Sequence, residues 1–215
     1  MEKKNIKSII KDNYIWIILL ILVIIVVLVG ININSSLVTK FDNFIYSNVS
    51  KLISDFTTNI MKLITNFGSV LGLAIMCILL MIFIKNKKYG LYAFLNAVGV
   101  GFLNLILKII FQRPRPNILQ IINESGYSFP SGHSMASMAF YGLLIYYIYK
   151  KVENKKIRRI LILLFSILIL AVGISRIYLG VHYPSDVICG YIISLAYLIG
   201  FIKFIEMEEL NGTNK

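Results

Sequence analysis

Only two histidines occur in this 215-residue chain, His133 and His182, and each stands in a short polar phrase within strongly apolar sequence. The first phrase reads Pro130-Ser131-Gly132-His133; the second runs from Ser175-Arg176 through His182 to Asp186. A third, residues 108–116, holds Lys108 and Arg115, with a further Arg113 between prolines and aromatic sequence. An imidazole oriented by a carboxylate through one ring nitrogen can attack through the other. Fixed cations stabilise a phosphoryl group's oxygens as charge redistributes. Leaving Arg113 aside, the phrases hold three cations (Lys108, Arg115 and Arg176), two imidazoles and one carboxylate, which is what phosphoryl transfer without a metal needs, and no His/Asp/Glu cluster has metal-ligand spacing. Neither a metal nor another cofactor is expected.

Each phrase also has a plainer account. Lys108 and Arg115 are seven apart and would share a face on a continuous helix. Pro114 and Pro116 instead predict that the helix ends near 111–113, turning Arg115 back toward Lys108. A lysine point charge and a guanidinium fork would then converge on one anion, although basic residues at span ends also simply reach for the interface. Ser131, Gly132 and His133 open a helix whose free N–H groups suit a phosphate, or merely cap it. Pro184 predicts a first helical turn that leaves His182 just outside and Asp186 just inside, where the acid either orients the imidazole or only complements the helix dipole. The plain accounts leave unexplained why all three phrases fall on one side of the bundle.

The elements that must position these residues follow from composition. Apolar residues make up 58% of the chain and charged residues 15%, against roughly 45–50% and 25% in soluble domains. This is the composition of an all-α integral membrane protein, read as one domain over residues 1–215. Runs able to cross about 30 Å of hydrocarbon occur near 14–33, 69–84, 91–111, 133–149, 157–174 and 184–205, predicting six spans. The net charge of +12 concentrates where a membrane protein places it. Lys3, Lys4, Lys7 and Lys11, then Lys85, Lys87 and Lys88, then Lys150, Lys151, Lys155, Lys156, Arg158 and Arg159, then Lys203 and Lys215 all fall on one side. The positive-inside bias makes that side cytoplasmic, with both termini, and places the three phrases at the outer surface. No nucleic-acid partner is implied. The first run has no A-x-A-like cleavage site near 33–36, so a retained span is expected rather than a signal peptide.

Between the first two spans, about 37–67, apolar residues recur at helical spacing from Phe41 through Phe44, Leu52, Phe56 and Leu63 to Phe67. Asp42, Lys51, Asp55 and Lys62 are among the intervening polar positions. The pattern predicts one or two amphipathic helices lying at the outer interface as a cover, or as a wall for a lipid substrate. Cys77 and Cys189 lie in apolar runs and are assigned no role.

Lys108-x6-Arg115-Pro116, Pro130-Ser131-Gly132-His133 and Ser175-Arg176-x5-His182-x3-Asp186 together resemble the three signature motifs of the type 2 phosphatidic acid phosphatase superfamily, membrane lipid phosphate phosphatases that share their site with vanadium-dependent haloperoxidases. Arg113-Pro114 is off register, since six residues before Arg113 would require lysine at Ile106. The resemblance implies hydrolysis through a phosphohistidine, with His182 as nucleophile, Asp186 orienting it and His133 as general acid and then base. It also implies phosphate binding by Lys108, Arg115, Ser131, Gly132 and Arg176. The expected substrate is a lipid phosphate or diphosphate in a bacterial cell membrane, undecaprenyl diphosphate first, with phosphatidylglycerophosphate and phosphatidic acid next. Phosphotransfer to another acceptor and non-catalytic binding of anionic lipid are the alternatives. The motifs imply nothing about oligomeric state.

Overall fold

The computed structural model describes residues 6–117 and 119–213. Lys3, Lys4 and Lys215 of the cytoplasmic charge pattern lie outside them. The described residues form eight α-helices and no strand: α1 Ile6–Ile31, α2 Ser36–Val49, α3 Asp55–Asn66, α4 Val70–Phe83, α5 Lys88–Phe111, α6 Gly132–Lys151, α7 Lys155–Tyr178 and α8 Pro184–Thr213. A short 3-10 turn, Ser50–Leu52, joins α2 to α3.

Four stretches are long and apolar enough to cross a membrane: Tyr14–Ile31, Lys88–Phe111, Lys155–Tyr178 and Pro184–Glu209. A fifth crossing arises if α3 and α4, bent by 55° where they meet, form one broken span. The other expected crossing, 133–149, coincides with α6. Ser134, Ser137, Tyr141, Tyr146, Tyr147 and Tyr149 make that helix more polar, and it is enclosed rather than outward-facing. It packs against α5, α7 and α8 and is the axis of the bundle. By contrast, α1 turns Trp16, Leu20, Ile25 and Leu28 outward, as lipid contact requires.

Two apolar cores flank α6. Phe140, Leu143 and Leu144 pack with Leu73, Ala93, Ile169 and Leu198. On the other side, Met135 and Ala139 pack with Val26, Val100, Cys189 and Ile193. Small residues set the approach of α8 to α6. A side-chain carbon at Gly190 would stand 3.1 Å from the Ser131 carbonyl oxygen and 3.3 Å from Ser134 Cβ, so any larger residue would press α8 a few tenths of an ångström away from the first turn of α6. The Ser131 N–H then donates to the Asp186 carbonyl at 3.1 Å, which joins the second motif to the third through the backbone.

The amphipathic segment forms two helices, α2 and α3. Ser54 caps α3 in a reciprocal capping box with Thr57, an arrangement that satisfies two otherwise orphan donors. The Tyr178 hydroxyl lies 2.7 Å from that of Thr57 and 2.9 Å from that of Thr58, tying α3 to the end of α7. One feature departs from the amphipathic pattern. Asp42, expected among the polar positions of the segment, is buried against α8 rather than turned to solvent.

Candidate active site

Four helix ends meet on one side of α6: the C-termini of α5 and α7 and the N-termini of α6 and α8. The chain leaves α5 through Gln112, which adopts a left-handed conformation (φ 46°) and donates its N–H to the Lys108 carbonyl. This turn sends Arg113 and Arg115 back into the protein, as the two prolines lead one to expect. Lys108 Nζ donates to the Tyr127 carbonyl. Arg115 is held by the connection between α5 and α6, its Nη2 donating to the Ser125 carbonyl at 2.9 Å. Its Nη1 donates to the Val181 carbonyl at 2.9 Å and lies 3.2 Å from His182 Nε2.

The turn after α7 uses Gly180 at φ +72°, a conformation that costs glycine little, and it delivers His182 to the mouth of α8. His182 Nδ1 lies 3.4 Å from Asp186 Oδ2, which also accepts the Tyr183 N–H at 2.9 Å. The nitrogen facing the carboxylate carries the proton, so the Nε2 lone pair points toward Arg115. Arg176, on the last turn of α7, is fully enclosed. Its Nη1 donates to Thr65 Oγ1 of α3 at 2.7 Å and its Nη2 to Glu124 Oε1 at 2.5 Å, while Nε is buried without a partner among the described residues.

These groups face one cavity of about 440 Å³. Its polar end presents Lys108, Arg115, Glu124, His133, Arg176 and His182; its other end is walled by small and apolar side chains of α4 and α5, among them Val70, Leu73, Ala74, Ala97 and Gly101. Cys77 also lines it and carries a free, buried thiol. Gly132 contributes its backbone at the start of α6. Asp186 stands behind His182 rather than in the cavity. Ser131 is given a different place from the expected one: it is buried, and its hydroxyl caps α6, accepting from the Ser134 N–H at 3.4 Å and lying 2.9 Å from the Ser134 hydroxyl. Its contribution is to fix the helix start.

Four polar residues that the motif spacing did not single out support the site. Thr65 orients Arg176. Arg113 and Asp42 lie behind Asp186. Glu124 sits on the two arginines, 2.5 Å from Arg176 and 3.7 Å from Arg115. Glu124 is the only acidic residue between Asp55 and Glu153, which is the one signal the sequence offers for it.

The electrostatics follow from burial and charge. Burial pushes the His182 imidazole down to about 4, the Arg176 and Arg115 charges act in the same direction, and Asp186 only partly offsets them. The ring is therefore neutral at pH 7 and able to act as a nucleophile. Since the chain has two histidines, ring-labelled His133→Gln protein reports His182 alone. Its NMR titration midpoint is expected near 4; a midpoint at the ordinary 6.5 contradicts this environment.

Burial alone would raise the Glu124 carboxyl, but the Arg176 hydrogen bond and the two arginine charges outweigh it and hold the group below its usual range. An ionised carboxylate thus occupies cations that an incoming phosphate would need. Glu124→Gln is expected to make inorganic phosphate a roughly 3-fold tighter competitive inhibitor, the scale of a part-exposed ion pair; weaker inhibition contradicts the competition.

The sequence matches the family described as the PAP2 superfamily over residues 88–209. Phosphatidylglycerophosphatase B of Bacillus subtilis (strain 168) is 35% identical over 123 residues, 57% of this chain and 60% of that protein. Undecaprenyl-diphosphatase BcrC of the same organism is 28% identical over 152 residues, 68% of this chain and 72% of that one. The crystal structure of a transmembrane PAP2 type phosphatidylglycerolphosphate phosphatase from Bacillus subtilis superposes with a TM-score of 0.79 at 26% identity, covering 88% of this chain and 96% of that one. The match to the first of these relatives thus spans less than two thirds of that protein's length.

Proposed function

Since the chain belongs to the PAP2 superfamily, we propose that it is a multi-pass membrane phosphatase that hydrolyses a lipid phosphate or diphosphate at the outer leaflet through a phosphohistidine. The observation that carries this function is the convergence of Lys108, Arg115, Arg176, His133 and His182 on the polar end of a cavity whose other end is apolar. Such a cavity suits a phosphate head continuous with a hydrocarbon tail.

In the proposed sequence, the phosphate displaces Glu124 and is held by Lys108, Arg115, Arg176 and the free N–H groups at the start of α6. Arg176 Nε, buried without a partner among the described residues, supplies a donor for one phosphate oxygen. His182 Nε2 attacks the terminal phosphorus, a P–N bond forms, and the bond to the leaving oxygen breaks, that of the lipid alcohol in a monophosphate or of the lipid phosphate in a diphosphate. His133 delivers a proton to that oxygen, then takes one from the water that hydrolyses the phosphohistidine. The Nδ1 proton stays on His182, its growing positive charge met by Asp186. Three fixed cations supply the charge stabilisation that phosphoryl transfer needs, so the reaction is proposed to proceed without a metal.

The outer location is supported by the charge pattern. Lys85 and Lys87 precede α5 and Lys88 opens it, while Lys150 and Lys151 end α6 and Lys155 and Lys156 open α7, at the end of the bundle opposite the site. With α1, α4, α5, α6, α7 and α8 as six crossings, both termini are cytoplasmic and α2 and α3 lie at the outer interface.

The substrate class is a polyprenyl diphosphate such as undecaprenyl diphosphate, or a glycerolipid phosphate such as phosphatidylglycerophosphate or phosphatidic acid. All share the phosphoryl group the cations would read. The test is phosphate release by detergent-purified protein from each of these lipids, with and without EDTA. Release that survives EDTA is expected, with relative kcat/KM naming the class. Absence of release from all of them overturns hydrolysis and directs attention to phosphotransfer.

A further inference from the structure

Asp42 lies on α2, outside residues 88–209 matched to the family, yet it is 2% exposed. Burying a carboxylate is costly unless it is paired and hydrogen-bonded, and every polar contact of Asp42 leads toward the site. Its Oδ2 accepts from Arg113 Nη2 at 2.8 Å and from the Ser185 hydroxyl at 2.8 Å; its Oδ1 accepts the Ser185 N–H at 2.8 Å. Arg113 turns its other terminal nitrogen, Nη1, to Asp186 Oδ1 at 2.6 Å and to Ser185 Oγ at 2.8 Å. Its guanidinium lies 3.7 Å over the Tyr183 ring. Asp186 Oδ2 remains for Tyr183 N–H and His182 Nδ1. The donors and acceptors therefore fit without conflict along a chain from Asp42 through Arg113 and Asp186 to His182, and neither Asp42 nor Arg113 lines the cavity.

We propose that Asp42 and Arg113 are positioning residues for the reaction, holding Asp186 and, through it, the ring of His182. This rests on His182 being the nucleophile. Arg113 takes one Asp186 oxygen, which fixes the carboxylate so that only the other can reach the imidazole. Two carboxylates against one guanidinium leave one net negative charge behind His182, matching the one positive charge that the ring acquires on attack. Asp42 also anchors this assembly to α2, which makes the amphipathic segment part of the catalytic apparatus rather than a cover.

His182 is faced as well by Arg176 from α7, by Arg115 and Glu124 from the connection between α5 and α6, by Lys108 from α5 and by His133 from α6. Asp42 and Arg113 variants leave all of these unchanged, so charge changes in the chain can be read separately. Removing Arg113 leaves Asp186 less compensated and favours imidazolium; removing Asp42 leaves Arg113 freer to offset Asp186 and disfavours it.

The experiment compares Asp42→Asn, Arg113→Gln and Arg113→Lys in the detergent-purified full chain, beside His182→Ala. It measures kcat, KM, inhibition by inorganic phosphate, and the His182 titration midpoint in the His133→Gln background. Expected are kcat losses of about 10- to 100-fold, the scale for residues that orient a reacting group, with KM and phosphate inhibition within about 3-fold. The midpoint is expected to fall in Asp42→Asn and to rise in Arg113→Gln. Arg113→Lys, which keeps the charge but not the fork, should lie between Arg113→Gln and the parent. Unchanged kcat in Asp42→Asn and Arg113→Gln overturns the proposal, as does lost turnover with unmoved midpoints. Loss of phosphate inhibition together with turnover overturns it too, because the residues would then support the fold alone. Turnover that persists in His182→Ala instead removes the functional reading beneath it.

Discussion

Replacing His182 with alanine is expected to lower phosphate release by about 10⁴-fold or more, the scale seen when a covalent nucleophile is removed. The effect should fall on kcat, since the cations proposed to bind phosphate are untouched. His182 is positioned for nothing else: one ring nitrogen faces Asp186, and the other faces Arg115 and the cavity. Its removal leaves Lys108, Arg115 and Arg176 as a binding site without a group to take the phosphoryl. Inorganic phosphate should therefore still bind, within a few-fold of its parent affinity, when read by isothermal titration. Turnover near the parental rate in this variant would mean that water attacks directly and that no phosphohistidine forms. Alkaline quench of His133→Gln during turnover, which preserves an acid-labile P–N bond, offers an independent view, because loss of the proposed proton donor and acceptor should slow hydrolysis of that bond and let phosphoprotein accumulate.

Arg176→Lys is expected to lower kcat/KM by about 10²-fold to 10³-fold, comparable to loss of a preorganised donor that meets developing charge. The charge is conserved, so the prediction concerns geometry. Arg176 uses its fork two ways and holds a third donor unused: Nη1 reaches Thr65, Nη2 reaches Glu124, and Nε is buried with no partner among the described residues. A lysine is a single flexible point charge. It cannot hold Thr65 of α3 and present a second donor to phosphate from the same planar group. Because the parent side chain is only 1% exposed, its replacement also leaves space beside Thr65. Measured kcat/KM within about 3-fold of the parent would show that charge alone suffices at this position.

The two substitutions separate roles that the linear sequence placed side by side in one motif. Arg176 and His182 are six residues apart, but Arg176 belongs to the last turn of α7 while His182 lies beyond it, in the turn before α8. The helix end orients the first and the Gly180 turn delivers the second. The arginine then depends on Thr65 from a distant segment, and the imidazole on neighbouring Asp186, which Arg113 from a distant segment backs in turn.

What the sequence alone determined is what local rules encode. Apolar runs long enough to cross hydrocarbon specify helices, because a backbone in lipid must satisfy its own polar groups. Two prolines after Phe111 predict that α5 ends there, and it does. Pro184 predicts a helix start with Asp186 in its first turn, again as found. The spacing of the motifs then allowed Lys108, Arg115, His133, Arg176 and His182 to be named, and the cavity contains all five. The amphipathic period of 37–67 likewise predicts its helices.

Only the tertiary structure decided how those residues are supported. An amphipathic pattern assigns Asp42 to the polar positions because acids ordinarily face water; it cannot register that a guanidinium 71 residues away will bury the acid instead. Arg113 is off register for the motif because Ile106 stands where a lysine would be needed, and nothing local shows that its partners lie on α2 and α8. Thr65 and Glu124 carry no periodic signal, and their value depends on Arg176, 111 and 52 residues distant. Ser131 reads from its motif as a phosphate ligand, but its hydroxyl is engaged in capping the start of α6, with Ser134. Local chemistry thus selects the groups that can react, whereas the energy of burying charge, which depends on what else arrives, selects the groups that hold them in place.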